Sequence, residues 1–171
     1  MADAMRAAAT GDTATLGSLI AAGQDPNTTD FSGETLLCAA ALHGHEACCR
    51  GLLQSNAAVD QPTASGATPL AAAAYGGHSE VVALLLASGA SPARVDSGGT
   101  SPLHWAAKMG RVGCVRCLLH AQADQSLRDT EGTPLEAAEA ARQDSSALLL
   151  RCRRSPSFPT SDVARSPPPA S

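Results

Sequence analysis

Leu19, Leu52, Leu85 and Leu118 stand 33 residues apart, and each is followed by a second large aliphatic residue, Ile20, Leu53, Leu86 or Leu119. Two glycine series keep the same step: Gly11, Gly44, Gly77 and Gly110, and Gly33, Gly66, Gly99 and Gly132. Asp30, Thr63, Asp96 and Asp129 form a fourth series. Independent series at one spacing mark an internal repeat, so the chain is read one period at a time. In the period that begins at Thr63, Thr68-Pro69 predicts a helix start. The threonine hydroxyl caps free amides, and proline suits the first helical position. Ala71, Ala72, Ala73 and Ala74 continue that helix with side chains small enough for close approach, and Gly77 predicts its end by taking left-handed backbone. His78-Ser79-Glu80 opens a second helix with a broad apolar face of Val81, Val82, Leu84, Leu85 and Leu86, closed by Gly89. The irregular stretch that follows predicts a turn-rich finger. One such unit cannot bury its apolar face, but a stack of them can. The pattern therefore predicts an all-α solenoid.

Composition sharpens that picture. The chain has 171 residues, 35 of them alanine, and four aromatic rings: Phe31, Tyr75, Trp105 and Phe158. Rings usually supply much of a core's buried area. A core here must instead be built from Leu, Val and Ala in thin layers.

Charge is uneven. Residues 1–150 hold 8 Lys/Arg against 15 Asp/Glu, a net of −7, whereas residues 151–171 carry a net of +3. An acidic body disfavours the phosphate backbone, so nucleic acid is not an expected partner. No stretch approaches the roughly 20 apolar residues of a membrane span, so no membrane insertion is expected. The N-terminus has Asp3 where an export signal carries cations. The expectation is a cytoplasmic or nuclear protein whose six cysteines stay reduced. Residues 153–171 are rich in Pro and Ser without periodicity and are expected to be a disordered tail. Ser155, behind Arg153-Arg154 and before Pro156, and Ser166, before Pro167, are candidate phosphorylation sites there.

Candidate chemistry resolves mostly into packing. His43, His45, Cys48 and Cys49 suggest a zinc cluster. In register, however, Cys48 and Cys114 share a position with Val81, and Cys49 shares one with Val82 and Val115. These are core positions, where cysteine packs as a small hydrophobe. Cys114-Val115-Arg116-Cys117 is a CxxC pair inside a helix rather than at its N-terminus, which is poor placement for redox work. His45-Glu46-Ala47-Cys48-Cys49 begins like a zinc-protease helix but lacks the second histidine. No phosphate loop, nucleophile elbow or triad spacing occurs, so no enzyme, metal or cofactor is expected.

Thr68-Pro69-Leu70, Gly77-His78, Val81-Val82, Leu84-Leu85-Leu86 and Gly89-Ala90 resemble the ankyrin repeat, as do Ser101-Pro102-Leu103-His104-Trp105-Ala106-Ala107 and Gly110. The resemblance covers about 150 residues and implies five units. These are an N-terminal cap over 1–27, three full repeats over 28–126 and a C-terminal cap over 127–152. Several positions depart from the pattern. Leu36 replaces the helix-opening proline, and Asn56 and Gln122 stand where glycine ends the second helix. Gly132-Thr133 is one residue short, and Arg142 takes the place of a helix-ending glycine. The last unit is therefore expected to be the least regular. His104 resembles the family histidine whose ring links neighbouring turns; Cys38, Ala71 and Glu136 occupy its place in other units.

The family role implied is protein–protein binding by a non-catalytic adaptor or scaffold. The rivals are a stoichiometric inhibitor or assembly chaperone, and a metal- or redox-responsive protein using Cys48, Cys49, Cys114 and Cys117. The binding face implied by the resemblance is the concave one, made by fingers and first helices. Carried over by position, it takes Phe31, Glu34, Thr100 and Glu131 from the fingers. From the first helices it takes Leu42, His43, Tyr75, Trp105, Lys108 and Met109. Leu42, Tyr75 and Lys108 are again 33 apart and are expected to form a ridge. The partner expected is a protein of unspecified identity, bound by a monomer.

Overall fold

Threonine or serine before proline or leucine does open a helix in each unit from the second onward. The structure, a computed structural model, describes residues 2–154. Thr35, Thr68, Ser101 and Thr133 each accept a bond from the amide three residues on, those of Cys38, Ala71, His104 and Glu136. Such a cap contributes about 1 kcal/mol to its helix. The described residues form five helix pairs: α1 (Ala2–Thr10) with α2 (Thr13–Ala21), α3 (Leu36–Leu42) with α4 (Glu46–Gln54), and α5 (Pro69–Gly76) with α6 (Ser79–Ala87). Then come α7 (Pro102–Lys108) with α8 (Val112–His120), and α9 (Pro134–Ala140) with α10 (Asp144–Arg154). The odd-numbered helices stack as an inner row and the even-numbered ones as an outer row. No strand forms among the described residues. The fingers hold two isolated bridges, Thr29 to Thr35 and Asp129 to Gly132.

Apolar positions of the period form one continuous core. Leu37, Leu70 and Leu103 fill the inner layer, and Leu52, Leu85, Leu118 and Leu150 the outer layer, all buried. Cys48, Val81 and Cys114 are buried at one shared position, and Cys49, Val82 and Val115 at the next. The last unit departs from this. Allowing for the residue missing from its finger, Ser146 takes the place of Cys48, Val81 and Cys114. Its hydroxyl is buried with no hydrogen-bond partner. A buried unsatisfied hydroxyl costs on the order of 1–3 kcal/mol. Ser146→Ala is therefore expected to raise the unfolding free energy by about 1 kcal/mol in urea titration. A loss instead would mean that the hydroxyl has a partner.

The turn between paired helices also locks one unit to the one before. His45 Nε2 donates to the carbonyl of Ala9 at 3.0 Å, His78 Nε2 to that of Leu42 at 3.0 Å, and Arg111 Nε to that of Tyr75 at 3.2 Å. Gly44 (φ +77°) lies flat beneath the His78 ring, and Gly77 (φ +92°) beneath the Arg111 side chain. Gln143 holds the equivalent place in the last unit, but its amide bonds Ala141 within the same unit. A second ladder runs through the loops. Asn27 Oδ1 accepts from the Ala58 amide at 2.7 Å, and the Asp60 carboxylate from the Ser91 amide at 3.2 Å. Ala93, next in that series, has no side-chain acceptor to offer.

Departures at helix ends change the residue but not the backbone. Asn56, Gln122 and Arg142 have φ of 63°, 57° and 57°, the left-handed geometry glycine supplies elsewhere. Each end of the stack carries an ion pair. Asp3 and Arg6 pair at 3.1 Å on α1, where the second unit buries Leu36 and Ala39. Glu139 and Arg151 pair at 2.6 Å where inner units place Ala107 and Leu119. Helix α10 runs to Arg154, two residues beyond the boundary expected at 152. Ser155, Ser166 and Phe158 lie outside the described residues. No helix among the described residues is long and apolar enough to cross a membrane.

Candidate partner-binding groove

The fingers owe their shape to the residue at their base. Asp30 Oδ1 accepts the Ser32 hydroxyl at 2.7 Å and the amides of Ser32 at 2.8 Å and Glu34 at 2.9 Å. These bonds, the Ser32 hydroxyl foremost and then the Glu34 amide, hold its carboxyl below the usual carboxylate range. Asp96 Oδ1 accepts the amides of Gly98 and Thr100, each at 2.9 Å, and Asp129 Oδ1 that of Glu131 at 2.8 Å. The Ser97 amide donates to the Ser65 carbonyl at 2.9 Å, tying one finger to its neighbour.

Between the fingers and the inner helices of units two to four lies an open groove of about 720 Å³. Glu34, Ala67 and Thr100 line its finger side, and Leu42, Tyr75 and Trp105 its helix side. Tyr75 is 43% exposed and meets Trp105 edge to face, with ring centroids 5.5 Å apart. The Trp105 indole donates to Asp96 Oδ2 at 3.1 Å, so finger and aromatic pair hold each other in place. A half-buried indole with its N–H satisfied presents an apolar face at little ordering cost.

The structure brings Glu34, Leu42, Tyr75, Thr100 and Trp105 together in this groove. Others lie apart from it. Phe31 is fully exposed at a finger tip, beside Met5 and Ala9 of α1. His43 ends α3 and tilts toward His45, with ring centroids 6.2 Å apart. Lys108 is neutralised by an ion pair with Glu131, and Met109 caps the end of α7. The expected Leu42–Tyr75–Lys108 ridge therefore narrows, within the groove, to Leu42 and Tyr75.

Cys38, Ala71 and Asp96 also line the groove, beyond the positions expected from the sequence. A signal for two of them was present. Residues four apart share a helix face, so Cys38 sits above Leu42 and Ala71 above Tyr75. Asp96 carried none, because its series marks the finger base without showing that an indole nine residues on would reach back.

The chemistry available in the groove is that of contact. The Cys38 thiol is pushed up to about 11 by burial, so it stays protonated at neutral pH. Cys49 and Cys114, also buried, are pushed up to about 12. Burial likewise raises Cys48. The six cysteines are free, and no cluster of three metal-binding side chains occurs among the described residues. His104 is buried, linked through Nδ1 to Ser101 and donating from Nε2 to the Gly132 carbonyl at 3.0 Å. It thus ties unit four to unit five.

A family model described as ankyrin repeats, in three copies, matches residues 4–96, and an ankyrin-repeat model matches residues 98–130. A search of curated proteins finds no match. Ankyrin repeats are generally protein–protein interaction modules. With well over half the chain covered and five helix pairs stacked in register, this chain belongs to the ankyrin-repeat family.

Proposed function

We propose that the chain is a non-catalytic adaptor or scaffold, cytoplasmic or nuclear, that holds a partner protein in the groove of units two to four. One observation carries this reading: an exposed tyrosine is braced against a tethered tryptophan at the floor of an open groove. Exposed apolar rings cost solvation, and anchored Tyr and Trp are the residue types that dominate binding energy at interfaces. The polar pairs Asp3–Arg6 and Glu139–Arg151 at the two ends support a monomer, since end-to-end stacking would bury them.

Tyr75→Ala tests the reading in the full chain. Affinity purification with mass spectrometry is expected to show partners that co-purify with wild type but are depleted at least tenfold with the variant. The variant's midpoint of unfolding should move little, because the ring is half exposed. Equal recovery of every partner by both proteins would sink the groove reading.

A further inference from the structure

The charge and shape of the groove restrict what fits it. This inference rests on the groove reading above and deepens it. Glu34 and Asp96 are the charged side chains lining the groove, and both are acids. The Glu34 carboxylate has no hydrogen-bond or ion-pair partner among the described residues. The Asp96 carboxylate takes two amides and an indole, which fix its position without cancelling its charge. Lys108 does not line the groove and pairs with Glu131. The groove is thus a negative site without a counter-cation, in a body whose residues 1–150 carry a net charge of −7.

Its shape adds a second requirement. In the third unit most of the lining is small, Ala64, Ser65, Ala67, Ala71 and Ala72 beside Thr63 and Tyr75, so most side chains there end close to the backbone. Larger residues line the same groove: Leu42 from unit two, Tyr75 from unit three and Trp105 from unit four. A hollow lined mostly by alanine beside Leu42, Tyr75 and Trp105 leaves room for a bulky apolar side chain supplied by a partner. The exposed Tyr75 ring beside it offers a surface for a cation.

We infer that the groove takes a basic protein segment in which an arginine or lysine stands close to a large apolar side chain. The apolar side chain fills the hollow of unit three. The cation pairs with Glu34 or lies against Asp96 and Tyr75. Polyanions such as nucleic acid are repelled by the same carboxylates.

Selection from a random-sequence peptide display library on the full chain tests this. Affinities of the enriched synthetic peptides are then measured at low and near-physiological salt. The expected enrichment pairs Arg or Lys with Leu, Phe, Tyr or Trp, and affinity falls as salt rises. Glu34→Gln is expected to weaken binding roughly three- to fivefold, as for a half-exposed ion pair. Tyr75→Ala should weaken it further. Neutral or acidic enriched peptides that still need Tyr75 would overturn the charge inference and leave the groove reading standing. Peptides that bind Tyr75→Ala as well as wild type, or an absence of any enrichment, would overturn both. The basic end of this chain is a rival occupant. If Arg165→Ala in the full chain raises peptide affinity, the groove is filled by the chain's own tail, and a separate basic partner is overturned.

Discussion

Gly44→Ala is expected to lower the unfolding free energy by about 3 kcal/mol, against about 1 kcal/mol for Gly89→Ala. Both glycines are left-handed, at φ +77° and +91°, so both variants carry the backbone cost of an L side chain there. Their surroundings differ. A Cβ on Gly89 meets nothing within 4 Å, whereas one on Gly44 falls 2.6 Å from Cε1 of His78. The imidazole must then move, and its bond to the Leu42 carbonyl goes with it. Loss of that hydrogen bond and of close packing adds about 2 kcal/mol to the backbone cost. Urea titration of the two variants measures the difference directly. Equal losses would show that the ring swings aside freely and that the bond between units two and three is worth little.

His104→Ala is expected to cost about 3 kcal/mol, concentrated at the junction of units four and five. The ring is 1% exposed, so its removal leaves a cavity and strips the buried Ser101 of a partner. It also severs the bond to the Gly132 carbonyl. This junction lacks both of the other ladders, since Gln143 bonds within its own unit and the loop series has already ended at Ala93. Hydrogen exchange of the full chain should therefore show faster exchange in α9 and α10, with α3 to α6 unchanged. Acceleration spread evenly over all five units would contradict a local role.

Much of the architecture was legible because it repeats. The Leu52/Leu85/Leu118 and Gly44/Gly77/Gly110 series each place one structural duty at one position, and a duty performed several times leaves a visible period. The hydroxyl caps at Thr68 and Ser101 were readable for the same reason. Interactions made once were not readable. Nothing in the spacing of Asp96 and Trp105 says that the indole bonds the finger base, because that contact depends on a rotamer. Register shows that Lys108 is equivalent to Tyr75, but not that a lysine there reaches Glu131 of the next finger. Arg142 and Gln122 illustrate a different limit. Their side chains argue against a left-handed backbone, yet both adopt it, at φ 57°. The shift of one residue before Thr133 places Ser146 at the position of Cys48, Val81 and Cys114, but register does not show that its buried hydroxyl lacks a partner.

The alanines of the inner row have a consequence for curvature. Beside Leu37, Leu70 and Leu103, the inner row buries mostly alanine, Ala39 to Ala41, Ala73, Ala74, Ala106, Ala107, Ala137 and Ala138, while the outer row buries Leu52, Leu85, Leu118 and Leu150 with Val or Cys. Helix spacing follows the size of the side chains between the helices. Each unit is therefore a wedge, thin toward the fingers and thick behind, and five wedges bend the stack into an arc. The arc's radius sets how far apart Leu42 and Trp105 stand across the groove, although none of the alanines that set it is open to a partner. One added methyl group at Ala73 would open the arc and change the spacing of the binding residues, so the choice of partner is tuned in part from beneath the surface that meets it.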